Sequence, residues 1–166
     1  MRRHVGVAAG FAAMAILAGC GLEPGKACPA LAALVGVGLE VAPPLADTVD
    51  HATLTACWDG GCQTHAVGLE QATAADSQGC AGADPDDTCH ASAVRTGDLA
   101  GFADIRDLPK RPVLMTVVLH GRAGKPVFDQ RLTVAPKAVY PGGPECGEGG
   151  PQARLVVAAG RLSERA

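Results

Sequence analysis

Aromatic side chains are scarce in this 166-residue chain: Phe, Trp and Tyr make up 3% of it, with a single Trp and a single Tyr. A sugar-binding surface of stacked aromatic platforms is thereby excluded, and any core must be assembled from Val, Leu, Ala and Ile. Asparagine is missing altogether, so there is no N-glycosylation acceptor. There is no cluster of Lys and Arg, and the formal net charge is −3. The electrostatic footprint of a nucleic-acid binder is therefore absent, as is the basic patch that holds a protein to anionic lipid. No stretch sustains a long helical period, which argues against a helix bundle. Nucleophilic catalysis also lacks its signatures. There is no Gly-x-Ser-x-Gly and no Cys-x-x-Cys, and the histidines His51, His65, His90 and His120 are scattered rather than set in a triad pattern.

What is present begins with the first twenty residues. Arg2 and Arg3 precede an apolar run from Val5 to Leu17, and Ala18 and Gly19 follow as small residues. This is the three-part layout of an export signal. The run is shorter than the ~20 residues a helix needs to span a bilayer. Arg2-Arg3 lies at the extreme start without the surroundings of a twin-arginine signal, so it is the ordinary positive region. The stretch Leu17-Ala18-Gly19-Cys20 resembles the lipobox of bacterial lipoprotein precursors. The resemblance covers these residues alone. It implies that Cys20 receives a diacylglyceryl thioether and that signal peptidase II removes residues 1–19. Cys20 then becomes a lipidated first residue, anchored at the outer face of the cell membrane within the cell envelope. Loss of Arg2 and Arg3 takes the net charge from −3 to −5, so the acyl chains alone would hold the protein to the membrane. What remains is one domain's worth of chain, enough to bury a core.

The chain has 7 cysteines. With Cys20 assigned to lipid, Cys28, Cys57, Cys62, Cys80, Cys89 and Cys146 remain, an even set that in an exported protein implies three disulfides. Spacing narrows the ~15 possible pairings. Cys57 and Cys62 flank the turn Asp59-Gly60-Gly61, and Cys80 and Cys89 pinch an acidic tip, Asp84-Pro85-Asp86-Asp87. Cys28 and Cys146 are left to tie the two ends of the domain together.

Alternation of period two marks the strands. The first runs from Leu34 to Val41 and ends at Pro43-Pro44. A hairpin covers Ala52 to Leu69, and Gly101 to Ile105 forms another short strand. Val113 to His120 is apolar on both faces and should be central. Pro126 to Val134 returns from it, and Gln152 to Ala159 is the last strand. Glu70 to Thr96 has no period, and Ala135 to Pro151 is a Gly/Pro-rich loop. The expected fold is all-β: an antiparallel immunoglobulin-like β-sandwich, or a related carboxypeptidase-regulatory-like one, stapled by three disulfides. The expected organisation is a signal peptide at 1–19, a lipidated tether at 20–27, one domain at 28–160 and a polar tail at 161–166.

Several patterns invite a ligand. Cys57-x4-Cys62-x2-His65, with His51 or His90 as a distant fourth, has tolerable spacing for zinc, but an exported thiol pair across a turn favours a disulfide. In an EF-hand alignment Asp84, Asp86 and Thr88 fall on ligand positions, but Cys89 takes the glycine position and Arg95 the glutamate position. Gly121 to Lys125 is a turn, because Pro126 stands where a phosphate loop needs Ser or Thr. Gly36-x-Gly38 lacks the third glycine of a dinucleotide loop, a position held by Val41. Trp58 is either an exposed contact at the hairpin tip or packed against the neighbouring disulfide. No catalytic residue, metal or cofactor is expected. The expected function is a non-enzymatic binding or structural module of the bacterial envelope, attached to the membrane through Cys20, with another envelope protein or a small ligand as partner. The alternative is an envelope metal- or small-molecule-binding protein using the 51–90 region.

Overall fold

The computed structural model describes residues 27–165. The export signal, the lipobox and Cys20 lie outside the described residues. Ten strands account for most of the described residues, which include no α-helix, only a 3-10 turn at Leu45–Asp47.

The strands are β1 (Gly36–Val41), β2 (Val49–Trp58), β3 (Gly61–Gly68), β4 (Glu70–Cys80), β5 (Cys89–Asp104), β6 (Val113–Gly121), β7 (Pro126–Val134), β8 (Lys137–Ala138), β9 (Pro151–Ala158) and β10 (Arg161–Glu164). They form two sheets. One has the order β3-β2-β6-β7 and is antiparallel throughout. The other has the order β10-β9-β1-β5-β4, with β8 also on β9. This second sheet is mixed, because β1 and β9 run parallel, Gly36 beside Gln152 and Val41 beside Val157. The expected purely antiparallel arrangement is corrected there. The long staple fits this arrangement: Cys28 precedes β1, Cys146 precedes β9, and the two are bonded. Both strands start from the same clamped end and travel the same way.

A single buried cluster joins the sheets. From the mixed sheet come Val37, Leu39 and Val41, Leu99 and Ala103, and Ala153, Leu155 and Val157. From the other come Ala52, Leu54 and Ala56, and Val113, Met115, Val117 and Leu119. These residues stand at every second position, as strands with one face inward require. β6 lies between β2 and β7, the central place its two apolar faces call for. Its other face carries Leu114, Thr116, Val118 and His120, and Thr116 stands beside Thr55, whose hydroxyl bonds that of Thr64 at 2.9 Å.

At one edge a single side chain stitches the sheets together. The Gln130 amide on β7 donates to the Gly160 carbonyl at 2.9 Å and accepts from the Leu162 N–H at 2.9 Å. This fixes β10, which replaces the expected polar tail. Arg161–Glu164 pair antiparallel with β9, and Leu162 is buried. Arg165 then reaches across to Glu40 on β1 with two 2.8 Å hydrogen bonds.

The β2–β3 hairpin closes through Asp59 and Gly60, both at positive φ (50° and 78°). That is the two-residue turn whose twist matches antiparallel strands, and glycine tolerates it without strain. Cys57 and Cys62 sit directly opposite each other across it and are bonded. Trp58 packs partly buried against the core rather than standing free.

Candidate functional site

The aperiodic stretch after β3 is a long hairpin rather than a loop. β5 is supported by β1 only from Leu99 to Asp104. Beyond Leu99 it pairs, among the described residues, with β4 alone, out to Cys80 and Cys89. At about 3.3 Å per residue, leaving out the bulged residues, this two-stranded arm extends roughly 26 Å from the Gln71–Leu99 pair, where β1 ends, to the Cys80–Cys89 pair. Every residue from Thr73 to Arg95 is exposed except Asp87 and Ser92, which are half-buried. Neither face of the arm has a core to meet, so neither carries an apolar stripe.

Two irregularities shape the arm. At its base, Gln71 pairs with Leu99 and Thr73 with Arg95, so Thr96, Gly97 and Asp98 bulge opposite Ala72. Gly97 takes φ +89° there, a conformation that a side chain would strain. Near the tip the register slips again between Ser77 and Gly79. The Cys80–Cys89 disulfide closes the ladder. Beyond it the Ala81 N–H donates to the Thr88 carbonyl at 2.9 Å, and Asp84-Pro85-Asp86-Asp87 forms a turn with the Asp87 N–H donating to the Asp84 carbonyl at 3.0 Å. The Asp87 carboxylate accepts from the Asp84 N–H at 2.8 Å. That carboxylate therefore organises its own turn. An unsupported two-strand ribbon is only marginally stable in water, and here covalent closure and a tight turn hold its far end.

Charge is divided unevenly. Between residues 70 and 98, Glu70, Asp76, Asp84, Asp86, Asp87 and Asp98 stand against Arg95 alone, a net −5 with His90 neutral. That equals the whole net charge of the chain from Cys20 onward, so the rest of the domain is balanced.

No protein-family model matches the chain, and neither a curated protein nor a solved structure is matched by it. The arm has to be interpreted from its own geometry.

The opposite end of the molecule is built differently. The segment before β1 lies along the loop before β9. An added Cβ at Gly142 would touch Pro29, one at Gly149 would meet Ala33, and one at Gly150 would meet Val35. The Gln152 amide donates to the Leu34 carbonyl at 2.7 Å, and Cys28–Cys146 locks the two segments together. Leu31, Leu34 and Tyr140 are exposed on these segments at 56%, 61% and 46%.

The remaining candidates do not converge. Cys57 and Cys62 are bonded to each other, so the Cys57, Cys62, His65 set has no thiolate to offer a metal. His90 follows Cys89 on the arm, whereas His65 is on β3, at the inner position opposite Leu54. The His65 Nε2 atom is shielded without a hydrogen-bond partner. Among the described residues no group of three or more His, Cys, Asp or Glu side chains is placed to hold a metal ion. One pairing escaped the sequence: His51 on β2 stacks on His120 on β6, with ring centroids 4.6 Å apart and planes 8° from parallel. His120 Nε2 lies 3.2 Å from the Thr53 hydroxyl, and His51 Nδ1 lies 3.0 Å from Asp50. Their separation in sequence hides a contact that only the β2–β6 register creates. Among the described residues no helix is long and apolar enough to cross a membrane.

Proposed function

We propose that this chain is an extracytoplasmic lipoprotein of the bacterial cell envelope, a non-enzymatic module with an immunoglobulin-like sandwich body that displays the β4–β5 arm to a partner. Cys20 carries the lipid, and the body acts as a spacer and platform. The observation that supports this best is polarity along the molecule. Cys28, eight residues after Cys20, is fastened at the end where β1 and β9 start, and the arm leaves from the end where β1 stops. A lipid anchor at the first end leaves the acidic arm pointing away from the membrane. The exposed Leu31, Leu34 and Tyr140 are at the anchored end, where a lipid surface would meet them.

Two experiments test the two halves of this proposal. Mass spectrometry of the membrane-extracted protein should find residue 20 as the first residue, carrying a diacylglyceryl group. Cys20→Ser should leave an uncut precursor, and normal maturation of that variant removes the anchor. For the arm, photo-crosslinkers placed at Val94 and, as a control, at Val118 on the body should differ, with partner adducts arising from Val94 alone. Equal adducts from both positions, or none from Val94, would place the binding element elsewhere.

A further inference from the structure

We propose that β4 accepts a basic, extended polypeptide segment of the partner as an added strand along Glu70–Ser77. This rests on the arm being the binding element and names the chemistry of what it binds. β4 is the terminal strand of its sheet, bonded to β5 on one side and to no strand on the other among the described residues. Natural edges of this length are protected by Lys, Pro or an early bulge. β4 contains neither Lys nor Pro, and its own extra residue comes only at Gln78. The Thr96-Gly97-Asp98 bulge falls on β5, so β4 is the arm's longer regular edge. Across Thr73–Ser77 the side chains are Thr, Ala, Ala, Asp and Ser, and all are exposed. Such small groups let another backbone approach to the usual strand spacing of about 4.8 Å.

Charge decides the occupant. Pairing of β4 with β4 of a second copy would bring two arms of net −5 side by side, and like charges at that range oppose association. A strand carrying Lys or Arg at alternate positions meets Glu70 and Asp76 along the edge instead, with the acidic tip beyond. In strand addition, main-chain hydrogen bonds supply affinity and alternate side chains supply selectivity.

The probe is a set of synthetic peptides of about eight residues added to the mature lipoprotein in detergent: a Lys/Thr alternating peptide, its Glu/Thr counterpart, and the Lys/Thr peptide N-methylated at every second amide in either register. The Lys/Thr peptide should bind, more weakly as salt rises, and slow amide exchange within Glu70–Ser77. N-methylation in the register that faces β4 should weaken binding roughly tenfold or more, because it removes main-chain donors and keeps the charge. Equal binding of all Lys/Thr forms would reduce the interaction to charge alone and overturn strand addition. Equal binding of the Glu/Thr peptide, absence of binding, or dimerisation of the protein through the arm would overturn the proposal as well. A negative peptide result alongside Val94-specific adducts would discard strand addition and keep the arm as binding element. Loss of those adducts would discard both.

Discussion

β6 and β4 are both long strands, nine and eleven residues, and they are opposites in every other respect. Val113, Met115, Val117 and Leu119 of β6 are completely buried, whereas no residue of β4 is buried. β6 has a bonded neighbour on each side, whereas β4 has one among the described residues. The first strand is held by burial, which stabilises by roughly 25 cal/mol for each Å² of apolar surface removed from water. The second is held by its hydrogen-bond ladder to β5 and by the disulfide at its tip. A body that supplies stability and an arm that supplies only exposed surface are separable parts, and segments that must meet partners come from the less stable regions of a fold.

That separation can be broken by substitution, and the largest effect should come from the body's long staple. Cys28 and Cys146 are 118 residues apart in sequence, and on the chain-entropy model a loop of that size is worth about 5 kcal/mol. Replacing both with Ser should give the greatest fall in melting temperature by circular dichroism of any disulfide removal. A fall no greater than that from losing Cys80–Cys89 would deny the body its leading role. Next comes Leu54→Ala. Leu54 is fully buried in the core, so the expected loss is about 2–5 kcal/mol, visible as an earlier denaturant midpoint. Smaller globally is Cys80→Ser with Cys89→Ser. The arm's amides should lose protection while the body's melting temperature moves far less than for the Cys28–Cys146 pair. A comparable fall would mean that arm and body unfold together. Least of all, Val94→Ser on the exposed arm should change stability by under about 0.5 kcal/mol.

The same contrast explains what could be read in the sequence. β1, β7 and β9 announce themselves through alternation, because one face of each meets the core, and β6 through a run that is apolar on both faces. The arm is silent for the same reason: with both faces in water, Thr73 to Ser77 and Ala91 to Arg95 need no apolar member. Only Cys80, Cys89 and the turn residues Asp84 to Asp87 marked where it closes. β10 looks like a polar tail in the sequence because four residues with one buried side chain, Leu162, cannot establish a period. The parallel β1–β9 pair is a matter of partner and direction, which alternation does not encode. The expected bond between Cys28 and Cys146 tied the two ends of the domain together but gave no direction to the strands that follow them. The His51–His120 stack depends on register in the same way. At the level of function the residues offer the proposed address, through the lipobox resemblance of Leu17 to Cys20, and a charge imbalance. The arm's reach, which turns that imbalance into a surface, becomes visible only once the strands are paired.

Arm and body are distinct in stability, and native-state amide hydrogen exchange tests this residue by residue. Those amides among Ala74, Ala75 and Ala91 to Ala93 that face the other strand of the arm should exchange through openings that cost markedly less than global unfolding, at rates that Leu54→Ala leaves unchanged. Amides of Leu39, Val117 and Leu155 should exchange only on global unfolding and should accelerate with that substitution. Equal opening free energies in the two sets, with both shifted alike by Leu54→Ala, would contradict the separation of arm and body.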